Sequence, residues 1–358
     1  GLGAEQDPNS ALGLISDDVI SLPLNLNMVP AFPIRVLQMD ERYVTLVDEY
    51  GVTKRALRSD FERTEGRKAN AGLASAMSHW IDFPVKDLAG WRGIFEERVQ
   101  SRLNERLPAD WDTRKVAFVR AAETRWVTFF CFPFFGLFGP MRELMGFEGL
   151  IFAMADNPAL VRTIVDDLTS FWLAVFERVL HDVRLDQVTF FEDMCATKGP
   201  LISPRLFREF IAPGYRRVIG GLREMGVQHF AVDSDGDVRL LLPELLACGV
   251  NGVHPCQASA GMDVRSLRVE FPSLSLNGGI DKRALALGAE AIDTELDRCF
   301  GVAWELGRYT PSLDHLAPPD ISWKKAQYYA SRYRTWCSQP HGGRLQGAGY
   351  SAGRGCEE

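Results

Sequence analysis

Gln187-Val-Thr-Phe-Phe191 runs directly into Glu192-Asp193, and Val227-Gln-His-Phe-Ala-Val232 runs into Asp233-Ser-Asp-Gly236. The same beat continues downstream. Residues 249–253 lead to His254-Pro-Cys256, residues 274–276 to Asn277-Gly-Gly-Ile-Asp281, and residues 308–310 to a loop carrying Asp314-His315. Each short apolar run has strand composition and is followed by a helix-length segment, the pattern of parallel βαβ units. In a parallel barrel, the loops after the strand C-termini carry the chemistry. The fold class expected is therefore α/β, a TIM (β/α)8 barrel, with residues 1–115 as an N-terminal elaboration packed on it.

The helix signals agree. Asn157-Pro158 supplies an N-cap followed by proline at the first helical position, and Leu160, Ile164, Leu168, Phe171, Val175 and Val179 then recur at helical spacing. Ser203-Pro204 opens a second helix the same way, which Pro213 should break or kink. Residues 237–248, 289–306 and 322–337 supply further helices. The main βα-repeat part is expected over 116–337. Residues 338–358 are Gly-rich with no apolar periodicity, the composition of a disordered tail.

Composition narrows the partners. A net charge of −7 lacks the basic surface that nucleic acid or an anionic membrane demands. The longest apolar run, 126–141, is too short for a membrane span and is interrupted by Pro133 and Gly136. Seven cysteines without paired spacing fit a reducing, cytoplasmic setting better than a disulfide framework. No signal peptide is evident.

Several runs together resemble the uroporphyrinogen decarboxylase superfamily: Phe83-Pro-Val-Lys86, residues 139–148, Phe191-Glu-Asp193, Lys198-Gly-Pro200, Ser203-Pro204, Val232-Asp-Ser-Asp-Gly-Asp-Val238, Gly278-Gly-Ile-Asp-Lys-Arg283, Leu313-Asp-His315 and Pro318-Pro319. The resemblance implies a TIM barrel and one of two chemistries. These are cofactor-free decarboxylation of a porphyrinogen, or methyl transfer to and from a corrinoid protein. The decarboxylases of the superfamily carry an Arg-Gln-Ala-Gly-Arg type segment, which suits a polycarboxylate because guanidinium groups pair carboxylates bidentately. No such segment is present. The zinc methyltransferases carry His-x-Cys-Gly where this chain has Asp233-Ser-Asp235-Gly236, and carboxylates there suit a harder metal or a metal-free acid–base site.

The function expected is demethylation of a small methylated compound, with the methyl group passed to a corrinoid held by a partner protein. Decarboxylation of a porphyrinogen or a smaller carboxylate is the alternative. A homodimer is also compatible. No cofactor is expected to be bound tightly by this chain, and a divalent metal is left open, with His254, Cys256, Asp233 and Asp235 as candidate ligands. The candidate catalytic groups are Asp233, Asp235, Asp314, His315 and Glu192. Asp233 and Asp235, two apart on a strand, share a face and either bind a cation or shift each other's pKa; the plain alternative is a helix cap. Asp314-His315 reads as an acid–base pair, or as a loop-fixing hydrogen bond.

Asp193, Phe134, Phe135, Gly278, Gly279, Lys282 and Gln257 are candidate substrate contacts. The phenylalanines would form an apolar wall, or simply core, and the glycines would let backbone approach a ligand. His229 is expected to pack in the core, and His79, His181 and His341 to be surface or structural.

Overall fold

A computed structural model describes residues 18–66, 76–317 and 321–339, together with Leu12. The tail beyond Gln339, His341 and the Pro318-Pro319 pair lie outside the described residues. The chain divides into two compact units, one of residues 17–252 and one of residues 253–358 with 1–16. The division falls within a strand, between Gly252 and Val253.

In the first unit, β1 (Val19–Ser21) begins a parallel set, followed by an antiparallel sheet of β2 (Arg35–Met39), β3 (Tyr43–Val47), β4 (Thr53–Leu57) and β5 (His79–Asp82), in that order. The parallel set resumes with β6 (Trp126–Phe130) and β7 (Gln187–Phe191), passes the small hairpin β8 (Cys195–Ala196) and β9 (Gly199–Pro200), and reaches β10 (His229–Asp233). The parallel order is β1-β6-β7-β10, with Val19 opposite Trp126, Thr128 opposite Gln187, and His229 opposite Gln187. The three-residue β1 went unread in the sequence because so short a run carries no periodicity.

Alternation explains the core. Val188 and Phe190 of β7, and Phe230 and Val232 of β10, are fully buried on one face, while Gln187, Thr189, His229 and Ala231 on the other remain half-buried. The helix Pro158–Leu180 is capped by the Asn157 side chain on the Leu160 amide, and it buries the expected stripe from Leu160 to Val179. Pro213 causes no break. The helix that starts at Pro204 widens to a π-turn over Phe207–Ile211 and resumes as Ala212–Glu224, so the residue without an N–H falls in the first turn of the resumed segment.

In the second unit, β11 (Gly252–His254), β12 (Ser275–Ile280) and β13 (Tyr309–Leu313) are neighbours in that order, and β12 and β13 pair in parallel. Helices Ala289–Leu306 and Trp323–Cys337 follow, the second capped by the Ser322 side chain on the Lys325 amide. Among the described residues, no helix is long and apolar enough to cross a membrane.

Candidate active site

The exits of β6 and β7 meet through backbone. The loop after β6 returns so closely that the Phe191 amide donates to the Phe135 carbonyl at 2.6 Å, and a Cβ on Gly136 would run into the Phe191 carbonyl oxygen. Two consecutive aromatic residues on this loop, Phe134 and Phe135, are buried in the core. Phe135 stacks 4.8 Å from Phe190 and lies edge-on to Phe129, Trp172 and Phe176, while Phe134 sits 5.1 Å from Tyr50. Neither lines a cavity. Phe132, whose ring lies 4.6 Å from that of Phe191, instead lines a cavity together with it.

Glu192, the first residue after β7, is fully buried. Its Oε1 accepts from the Leu137 amide at 2.7 Å and from the Tyr215 hydroxyl at 2.6 Å, and its Oε2 accepts from the Gly139 amide at 2.8 Å. Burial pushes its pKa up, against those three donors.

Asp193 is turned the other way, toward a cavity of about 1270 Å³. It adopts a left-handed backbone conformation, φ +44°, which costs a non-glycine residue on the order of 1 kcal/mol and directs its side chain away from that of Glu192. Arg142, from the helix Phe138–Met145, donates from Nη1 to the Asp193 carbonyl at 2.9 Å, and its Nη2 lies 3.4 Å from Oδ2. The Asp235 amide lies 3.5 Å from Asp193 Oδ1. Burial pushes the Asp193 carboxyl pKa up, Arg142 pulls it down, and the negative charge of Asp235 adds to the rise.

The cavity walls come from the antiparallel sheet, the end of β7, the loop after β6 and the helices near residue 146: Trp80, Phe83, Phe191, Phe132, Met145 and Phe147 among others. The volume exceeds the roughly 300–1,000 Å³ of ordinary small-molecule sites, so a small molecule would leave room beside it. Its charged lining among the described residues is predominantly acidic, with Asp48, Asp60, Glu143, Glu148 and Asp193 against Lys54, Lys86 and Arg142. Each base already has an acidic partner: Lys54 pairs with Asp48 at 3.1 Å, Lys86 with Asp82, and Arg142 with Asp193 and, at 3.7 Å, Glu143. His79, read from the sequence as surface or structural, is exposed on β5 and lines this cavity.

Asp233 and Asp235 are half-buried on either side of the buried Ser234, as alternation requires. The Asp233 carbonyl accepts from the Glu192 amide at 2.9 Å, which ties the two strand exits together. Asp237 is held by Arg239, which keeps its carboxyl below the usual range. His229 packs 4.8 Å from the Trp126 ring, at the opposite end of β10 from these carboxylates. His181 is exposed beside Asp182, at 3.1 Å.

The second unit holds the other candidates. Asp314 is fully buried and fastens loops, with Oδ2 accepting from the Ala258 amide at 3.0 Å and Oδ1 from the Lys282 amide at 3.1 Å; His315 is exposed. Gly278 and Gly279 serve a backbone approach within the protein. A Cβ on Gly278 would strike the Pro255 carbonyl, and the Gly279 amide donates to that oxygen at 2.9 Å. Lys282 is half-buried, and Gln257 donates to Ser259 at 3.0 Å. His254 Nδ1 lies 2.8 Å from Asn277 Oδ1. Burial pushes the Cys256 thiol up to about 12, away from the thiolate that a metal needs. Among the described residues, no three His, Cys, Asp or Glu side chains gather as a metal ion requires. The donors described do not fit zinc.

The residues that the sequence left unmarked are Arg142 and the walls from β4 and β5. Arg142 lies in the 139–148 stretch that carried the resemblance, which was its one available signal.

The family model of uroporphyrinogen decarboxylase (URO-D) matches residues 133–336. Among solved structures, a methyltransferase from Methanosarcina mazei is similar with a TM-score of 0.54 and 13% sequence identity, over 92% of this chain and 83% of that one. At that identity the likeness is one of fold. No curated protein matches the sequence.

Proposed function

The chain belongs to the uroporphyrinogen decarboxylase family, and from that premise we propose that it is a methyl-transfer enzyme acting on a small methylated compound. The family's fold is the TIM barrel, and the parallel strands with covering helices in each unit are what such a barrel is built from. The observation that carries the functional reading is Asp193. It is a carboxyl group on a strained turn at a strand exit, with a raised pKa, facing an aromatic-walled cavity whose bases are already paired.

When a methyl group is taken from oxygen, nitrogen or sulfur, the departing heteroatom keeps the bonding electron pair and needs a proton. Asp193, whose carboxyl pKa is raised by burial, is placed at the cavity to deliver it. Arg142 fixes the Asp193 backbone through the 2.9 Å bond to its carbonyl and keeps the carboxyl at the cavity. Phe132 and Phe191 shield the reacting bond from water. The methyl acceptor is a corrinoid carried by a partner protein, which supplies the nucleophile. The exposed apolar side chains of Met77, Trp80, Ile81 and Phe147 at the cavity fit a docking partner. A cytosolic location goes with this reading, supported by six free thiols among the described residues.

The charge inventory weighs against a polycarboxylate. Among the described residues, a porphyrinogen would bring its carboxylates to a cavity lined by five acidic side chains and by no Lys or Arg lacking an acidic partner. The test is to incubate the protein with reduced free cobalamin and a panel of methoxy, methylthio and N-methyl compounds, following the demethylated product by chromatography. Uroporphyrinogen serves as the competing substrate. Demethylation of at least one compound supports the reading, and robust decarboxylation without it overturns the reading.

A further inference from the structure

We propose that Glu192 and Tyr215 form a buried clamp that positions Arg142 against Asp193, so that Glu192 serves the reaction through the geometry of that pair and does not touch substrate. The inference rests on the reading of Asp193 as the proton donor.

The geometry points inward at every step. Glu192 is adjacent to Asp193 in the chain, yet its side chain is fully buried and both oxygens are engaged. Two of its three donors, the Leu137 and Gly139 amides, belong to the start of the helix Phe138–Met145. Such amides have no partner within a helix, and a carboxylate there satisfies them while complementing the helix dipole. Arg142 lies one turn further along the same helix and reaches back to Asp193. One carboxylate thus ties the start of the helix to the residue beside Asp193, closing a short loop of contacts from Asp193 through Glu192 and the helix to Arg142.

The third donor comes from a separate helix. Tyr215, on Ala212–Glu224, is fully buried against Phe190 at 5.0 Å and Phe207 at 6.0 Å, so its hydroxyl cannot swing away from Glu192. The close fit is also built in by omission. A Cβ on Gly136 would collide with the Phe191 carbonyl, and one on Gly139 would lie 2.6 Å from the same oxygen. A carboxylate placed beyond the reach of water is costly unless its partners are all in place. Its siting at the junction of the helix with the β7 exit indicates a task that an apolar residue of similar shape would not perform.

The groups facing Asp193 set the readout. Arg142 on the helix lowers its pKa, Asp235 at the β10 exit raises it, Glu143 lies beside Arg142, and Cys195 follows on β8. If the clamp slackens and Arg142 withdraws, the Asp193 pKa must rise.

The experiment compares Tyr215→Phe, Glu192→Gln and Arg142→Ala in the full chain by two measurements. These are kcat and KM against pH for demethylation, and the titration of the 13C-labelled Asp193 carboxyl by NMR, assigned with Asp193→Asn. Tyr215→Phe should remain folded and lower kcat on the order of 10-fold, with KM changed little, as expected for a small misplacement of a reacting group. Its Asp193 midpoint should rise in the same direction as that of Arg142→Ala. The double variant Tyr215→Phe/Arg142→Ala should show no further rise, because both changes act through one contact. Glu192→Gln should exceed Tyr215→Phe in both respects; if it does not fold, Tyr215→Phe decides alone. A wild-type midpoint in Tyr215→Phe, beside a shifted one in Arg142→Ala, overturns the clamp. A wild-type protein that demethylates nothing, while the midpoints shift as described, removes the methyl-transfer reading and leaves the clamp standing.

Discussion

Arg142 reaches Asp193 at two points, donating to its carbonyl oxygen at 2.9 Å and approaching its carboxylate at 3.4 Å. The contact to the carbonyl is the shorter one. The guanidinium therefore anchors the left-handed turn as well as lowering the carboxyl pKa, and burial outweighs that lowering, so Asp193 keeps a raised pKa beside an arginine.

Asp193→Asn should leave the fold intact, because the side chain is only half-buried, the amide oxygen can still accept from the Asp235 N–H, and the Arg142 bond to the Asp193 carbonyl is untouched. Turnover should fall by about 10²-fold or more, the scale for losing a positioned acid. Circular dichroism and the initial rate of demethylation check the two halves of this expectation.

Asp235→Asn should move the pH profile. Asp193 works in its protonated form, so the rate falls as pH rises through its raised pKa. Removing the neighbouring negative charge lowers that pKa. The falling limb of kcat should then lie at lower pH than in the wild type, and an unmoved limb would argue against Asp193 as the donor.

Glu192 makes stability depend on pH with a definite sign. Its carboxyl has a higher pKa folded than unfolded, so between the two values the native state holds the extra proton. Stability should therefore be greatest below the unfolded value of about 4.3 and decline as pH rises through the folded one. In Glu192→Gln that contribution to the slope should vanish, as read from urea midpoints across the pH range.

Two glycine replacements should act in opposite directions. Gly136→Ala drives a methyl group into the Phe191 carbonyl, a backbone atom that cannot yield, and should cost about 3 kcal/mol. Gly220→Ala, inside the helix Ala212–Glu224 with nothing within 4 Å of the new Cβ, should gain about 1 kcal/mol. Thermal or urea unfolding of both variants tests the pair.

The strand exits were legible because their cause is local. Gln187–Phe191 alternates in the sequence as it does in the sheet, and residues 289–306 form the expected helix with those bounds. The resemblance at residues 191–193 and 232–238 also lies within the span matched by the family model. Boundaries were less secure where a turn intervened: the segment expected to be helical from residue 237 has its α-helix only over Leu242–Ala247. The α/β class with parallel strands and the family could be read because period, caps and motifs are written in neighbouring residues.

The division of labour among the acidic residues could not be read that way. Glu192, Asp193 and Asp314 look alike in sequence, each an acid just past a strand. Glu192 is engaged by amides 53 and 55 positions away, and Asp314 by an amide 56 positions away. Whether a carboxylate fastens backbone or faces a cavity depends on which donors arrive beside it. Likewise, the sequence established a dense aromatic run after residue 128, while packing alone separated Phe132 at the cavity from Phe134 and Phe135 in the core. Hydrogen-bond satisfaction and burial are properties of groups brought together by the fold, so only the tertiary structure decided them.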